Sequence, residues 1–139
     1  MYRHDYILRM IEQLARTLIA LRNRLLRREL SSQEVRAEIH QIARDAGLDL
    51  DIARRLDPAM LLGWLQPTGE ANDPKVWLMA ELLYLDALEA REAGEPGAGR
   101  AGMRRALMLF SQLPPDWRPS DDVASAGSRV AELQGMLAP

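Results

Sequence analysis

Residues 1–30 read MYRHDYILRMIEQLARTLIALRNRLLRREL, and one apolar stripe runs through them: Ile7, Ile11, Leu14, Leu18, Leu21 and Leu25. Steps of four and three residues keep these branched side chains on one face of a helix. Gly47 is the first Gly or Pro in the chain, so no breaker interrupts the pattern. The stripe predicts a long N-terminal helix, from about His4 or Asp5 to Leu30. Met10, Ala15, Ile19, Leu26 and Leu30 widen it beyond a two-position seam, which implies contact with more than one neighbour. Arg9, Glu12, Gln13, Arg16, Asn23 and Arg27 take the other side, with Glu12 and Arg16 in the favourable i, i+4 order.

Working outward, Ser31 with Glu34 three residues on forms a capping box and opens a second helix whose face is Val35, Ile39, Ile42 and Ala46. Gly47 suits a left-handed stop. Asp49 and Asp57 each cap a short helix, the second with Pro58 in its first turn and Pro67 beyond its end. Asp73 followed by Pro74 repeats that start signal for a long helix to about Ala93, ending at Gly94. Its stripe is Val76 or Trp77, Ala80, Leu83 or Tyr84, Ala87 and Leu88. The tract GEPGAG (94–99) reads as a flexible connection. A further helix spans about Arg100 to Leu113 and buries Met103, Ala106, Leu107 and Phe110; Pro114 and Pro115 end it, and Ser120 caps a last helix to about Leu137. No alternating apolar run suggests a strand. The expected fold is an all-α helical bundle, one domain over residues 1–139, with an N-terminal region 1–66 and a C-terminal helical pair within 74–137.

Composition agrees with helices. Among 139 residues are 23 Leu and 19 Ala, both strong helix formers. With 18 basic and 20 acidic residues the net charge is -2, so the whole chain offers no electrostatic case for nucleic acid or anionic membrane. Residues 1–30 differ, with seven Arg against Asp5, Glu12 and Glu29. Cys is absent, which removes disulfides, a thiol nucleophile and thiolate metal sites. Charges interrupt the first apolar run, and no stretch approaches the roughly 18 apolar residues of a membrane span. A cytoplasmic protein is expected.

The segment from Trp77 to Phe110 resembles a tetratricopeptide-type (TPR-like) helical hairpin. Trp77 and Tyr84 keep the seven-residue spacing of that repeat's first helix, and Ala106 with Phe110 keeps the Ala-x-x-x-Phe spacing of its second. Ala80 and Glu81 replace its Leu-Gly pair, and the connection is longer than in the repeat. The whole chain is also similar to a family of small bacterial all-helical proteins that open with an Asp-Tyr-Ile-x-Arg-x-Ile-Glu-x-Leu helix, here Asp5 to Leu14, and close in a TPR-like hairpin. That resemblance implies a fold and carries no activity.

No catalytic set emerges, no metal ligands and no cofactor motif, and a non-enzymatic protein is expected. His4 and His40 are the only imidazoles and lack ligand spacing. Asp49-Leu50-Asp51 lacks the Gly and Glu of a calcium loop and reads as capping; Asp121 and Asp122 read as first-turn acids. Trp64, Trp77 and Trp117 are core candidates, with Trp117 in PPDWRP also a possible exposed anchor. A helix of about 26 residues is about 39 Å long, against a radius of gyration of about 13 Å for a 100-residue domain. The stripe Ile7, Ile11, Leu14, Leu18, Leu21, Leu25 therefore has two readings, an internal bundle helix covered by the later helices or an interface, and the second is the one expected: the seam of a homodimer or the surface for a protein partner. The alternative is an anion contact by the Arg-rich end of the helix, Arg24, Arg27 and Arg28 with Arg22, where cations also complement the helix dipole.

Overall fold

The computed structural model describes the backbone of residues 2–139, and the side chains of residue 6 and residues 8–139. Among them the chain is all-helical, with no strand: α1 (Tyr2–Leu26), α2 (Ser32–Asp45), α3 (Leu50–Arg55), α4 (Pro58–Leu65), α5 (Asp73–Glu92), α6 (Pro96–Ser111) and α7 (Ala126–Leu137). None of these helices is long and apolar enough to cross a membrane.

The sequence VWLMAELLYLDALEA in α5 has apolar side chains all round, and such a helix must be enclosed. Every residue from Val76 to Ala90 is buried. Helices α1, α2, α3, α4 and α6 all pack on α5, while α7 lies mainly on α6. The expected single stripe on α5 is thus too narrow, because every face of this helix meets a neighbour.

Local chemistry sets the starts of α2, α3 and α4. Ser31 and Glu34 form the reciprocal capping box, and the bond from the Ser31 backbone N–H holds the Glu34 carboxyl below its usual range. Asp49 accepts from the Ile52 N–H and Asp57 from the Met60 N–H. Four boundaries differ from expectation. Helix α1 stops at Leu26 instead of Leu30, because Arg28 turns left-handed at φ 58°. Its N–H bonds to the Leu25 carbonyl at 3.0 Å, and that of Glu29 to Arg24 at 2.9 Å. This is the Schellman pattern that usually takes Gly. At the start of α5 the cap is Asn72, one residue before the expected Asp73.

The two larger corrections concern α6 and α7. GEPGAG is no flexible connection: Pro96 begins α6, and only residues 93–95 link it to α5. A Cβ on Gly102 would lie 3.0 Å from the Ala87 Cβ, and one on Gly99 would lie 3.1 Å from the Ala87 carbonyl oxygen. These glycines admit the α5 backbone. The order of contacts, Gly99 with Arg91 and Ala87, then Gly102 with Ala87 and Leu83, shows an antiparallel pair. Helix α7 is capped by Ser125 and not Ser120. Residues 112–125 form a folded loop in which Val123 is buried and the Ala126 N–H bonds to the Trp117 carbonyl at 2.9 Å. Asp121 and Asp122 therefore sit in this loop and not in a first helical turn. Trp117 is half-buried, its ring 6.3 Å from that of the fully buried Trp77. Trp64 packs partly buried on the same core.

The α1 stripe faces the inside of one chain. Ile11, Leu18, Leu21 and Leu25 are 1–4% exposed, and Leu14 packs half-buried against the same core. The Ile7 side chain, like those of His4 and Asp5, lies outside the described residues. The four enclosed side chains are thereby used up within the fold. Leu18→Arg is expected to abolish cooperative unfolding measured by circular dichroism, since it buries an unpaired charge. A wild type that sediments as a dimer, with a variant that remains a folded monomer, would instead place the stripe between copies.

Candidate functional site

An enclosed helix tolerates a carboxylate only where a neighbour supplies a cation, and α5 carries three: Glu81, Asp86 and Glu89 are 3%, 9% and 2% exposed. Each is met by a different element. Arg129 of α7 reaches Glu81, Nε to Oε1 at 2.5 Å. Arg54 of α3 grips Asp86 with two nitrogens and Asp51 with the third, at 3.1 Å. Glu89 accepts from the Ser32 hydroxyl and from Arg36 Nη2 at 3.2 Å, both on α2.

The Glu81 pair belongs to a closed cluster. Arg129 also bonds to Glu132 at 3.1 Å, and Arg22 of α1 pairs with the same Glu132 at 3.1 Å. The Arg22 guanidinium lies 4.3 Å from the centre of the Tyr84 ring, within cation–π range. The Tyr84 hydroxyl donates to Glu132 at 3.3 Å. Burial pushes the Glu81 carboxyl above its usual range, against the pull of Arg129. Burial likewise raises the Tyr84 phenol. For Arg129 burial works against the charge, but Glu81 and Glu132 outweigh it and raise its pKa. This cluster locks α1, α5 and α7 together.

The other two pairs border an open cleft of about 500 Å³. Its floor is the Leu83–Ala90 face of α5, one wall is Arg36 and Arg54, and the other is the α6 run from Glu95 to Arg105. The hydrogen-bonded Asp86 carboxylate holds the Arg54 pKa above its usual value. Arg105 donates Nε to the Leu56 carbonyl at 3.0 Å. Ala98, Ala101 and Gly102 line this wall, so the cleft owes its width to small α6 residues. Asp86 and Glu89 are paired with guanidinium groups, an arrangement suited to recognition by charge and shape.

The Arg residues proposed for anion contact divide. Arg24, Arg27 and Arg28 are exposed, but Arg24 borders a shallow depression shared with Glu34 and Glu38, while Arg28 borders another beside Glu92. Arg22 is corrected outright: its side chain is 14% exposed and turned inward. Asp49 is a cap, as read from sequence, and Asp51 serves Arg54. Among the described residues no three His, Asp or Glu side chains are grouped to hold a metal ion. Sequence reasoning missed the cleft. Its signal was three acids in an otherwise apolar helix, which announces buried ion pairs without naming the partners. No protein-family model, curated protein or solved structure matches the chain.

Removing Arg129 would leave Glu81 buried without a counter-charge. Arg129→Met should cost about 3–5 kcal/mol at neutral pH. A carboxyl raised in the folded state stabilises at low pH, and that contribution is lost as pH rises through its folded value. The deficit of Arg129→Met should therefore shrink as pH is lowered from 7 towards 4 in urea-unfolding measurements. A deficit that grows over that range would show that losing Arg129 does not raise the Glu81 pKa of the folded chain.

Proposed function

We propose that this chain is a non-enzymatic, cytoplasmic protein–protein interaction or scaffold protein that docks a partner segment in the cleft between α2, α3 and α6. The observation that carries this reading is the cleft itself, concave, of about 500 Å³, with guanidinium groups at its rim and small residues along one wall. Ligand sites are concave, largely pre-formed and equipped with a few placed polar groups. Its rigidity has a cause: the wall arginines are anchored on buried carboxylates.

The reading includes a TPR-like hairpin in α5 and α6. It is supported by the antiparallel pairing, the three-residue link, and the complete or near-complete burial of Trp77, Tyr84, Ala106 and Phe110. Homodimerisation through α1 remains part of the proposal only for the outer side of that helix, where Tyr6 is 70% and Leu26 50% exposed.

A linear peptide library panned against the chain and against Ala98→Trp tests the cleft. Ala98 is exposed and lines it, so the indole fills the space without entering the core. Peptides enriched on the wild type should be lost on the variant; survivors would put docking elsewhere.

The second reading, a peripheral contact with nucleic acid or anionic membrane, is favoured by one observation. Among the described residues Arg24, Arg27 and Arg28 form no ion pair. It requires binding to duplex DNA or phosphatidylserine vesicles that weakens with salt and is lost on neutralising these three. Failure to bind either at low salt removes it.

A further inference from the structure

Resting on the cleft reading above, we propose that the occupant is an extended peptide segment carrying one acidic and one basic side chain about four residues apart. The acid would lie at the Arg54–Arg105 end and the base at the Glu95 end.

The antiparallel course of α5 and α6 sorts the lining residues into two ends. Arg105 stands with Leu83, Asp86 and Arg54; Glu95 stands with Glu89, Ala90 and Arg36. At the first end the cleft wall carries two guanidiniums, and the one that meets no carboxylate is Arg105. Arg54 is fully committed to Asp86 and Asp51. Arg105 uses only Nε, on the Leu56 carbonyl, and its terminal nitrogens bond to no acceptor among the described residues. At the second end Arg36 faces two carboxylates, and the surplus is negative. Glu89 is held by Ser32 and Arg36. Glu95 is exposed, makes no side-chain cap bond and has no ion-pair partner among the described residues.

Glu95, the N-cap of α6, and Arg105 within it are ten residues apart, about 15 Å at roughly 1.5 Å per residue. An extended chain covers that in about four residues, at roughly 3.3–3.6 Å each. Between the two ends the accessible surface is Ala98 and Ala101, which suits small apolar side chains. A dense anion such as phosphate fits poorly, because Asp86 and Glu89 lie in the floor and Glu95 repels it from one end. A uniformly anionic polymer meets the same obstacle. A mixed-charge peptide places each charge opposite a group of the other sign, and such complementarity governs partner choice.

Amide-shift titrations of the isotope-labelled chain at low ionic strength would use three peptides with blocked ends: Glu-Ala-Ala-Ala-Lys, Glu-Ala-Ala-Ala-Glu and Lys-Ala-Ala-Ala-Lys. The mixed peptide should bind about tenfold more tightly than either uniform one, as two rim ion pairs allow, with shifts at Ala98, Ala101 and Gly102. Glu95→Lys should move the preference to the doubly acidic peptide, and Arg105→Glu to the doubly basic one. The exposed Glu95 swap stands alone if Arg105→Glu fails to fold. Equal affinity for all three peptides, or a preference that Glu95→Lys leaves in place, overturns the inference while the docking cleft stands. Absence of shifts with every peptide also overturns it, and library panning then decides the docking reading separately.

Discussion

A carboxylate inside a helix bundle has to be neutralised from outside its own helix, and α5 imposes this demand three times between Val76 and Ala90. Its apolar side chains supply most of the driving force for assembly, but leucines and alanines accept neighbours at many rotations. The acids do not. Glu81 requires Arg129 of α7, Asp86 requires Arg54 of α3, and Glu89 requires Ser32 and Arg36 of α2. A buried ion pair adds little net stability against apolar residues of the same volume, yet losing one partner is costly. The consequence is positional: α2, α3 and α7 are each tied to one stretch of the central helix.

The same helix also explains why one side of the molecule is open. On the α6 side, Gly99 and Gly102 bring two backbones almost into contact. On the α2 and α3 side, long arginine side chains span the distance to α5, and a guanidinium bridge holds a helix further away than a glycine does. That difference in approach leaves the cleft. The α7 side shows the contrast, since Arg129 is 8% and Glu81 3% exposed at the side chain, whereas Arg36 is 49% and Arg54 36% exposed. Identical chemistry serves as an internal lock in one case and as a rim in the other.

What the sequence made legible follows the range of the forces concerned. Ser31, Asp49 and Asp57 cap helices because their side chains bond to N–H groups three residues ahead, and that signal is local. Where tertiary contact decides, the reading fails. Arg28 ends α1 in a conformation costing an L-residue roughly 1–2 kcal/mol, and nothing local marks the stop. The glycines of GEPGAG look like a loop until α5 is seen lying against them, although Pro96 at a first-turn position hinted at a helix start. Ser120 and Ser125 are equivalent caps by residue type; burial of Val123 and the bonds from Ala126 and Gly127 back to Trp117 and Pro115 choose the second. The α1 stripe had the right period, but no periodicity names the surface it meets. The cleft was the least legible part, since Asp86 and Arg54 are 32 residues apart and Glu89 and Arg36 are 53 apart.

Charge distribution along the chain gains a meaning from the fold. The first thirty residues hold a surplus of Arg and the remainder a surplus of acid, which in an unfolded chain resembles a basic arm. Folding brings the two together. Arg22 turns inward to Glu132 of α7 and the face of Tyr84, and Arg16 lies 3.7 Å from Asp122 in the loop before α7. The exposed Arg16 pair contributes little. The Arg22 contact is sheltered, and it joins the first helix to the last across the flank of the central one. Part of the basic surplus is thus an internal counter-charge for the C-terminal helix, which leaves Arg9, Arg24, Arg27 and Arg28 exposed among the described side chains. The fold anchors Arg36 and Arg54 beside the cleft, where the buried carboxylates of Glu89 and Asp86 fix their direction.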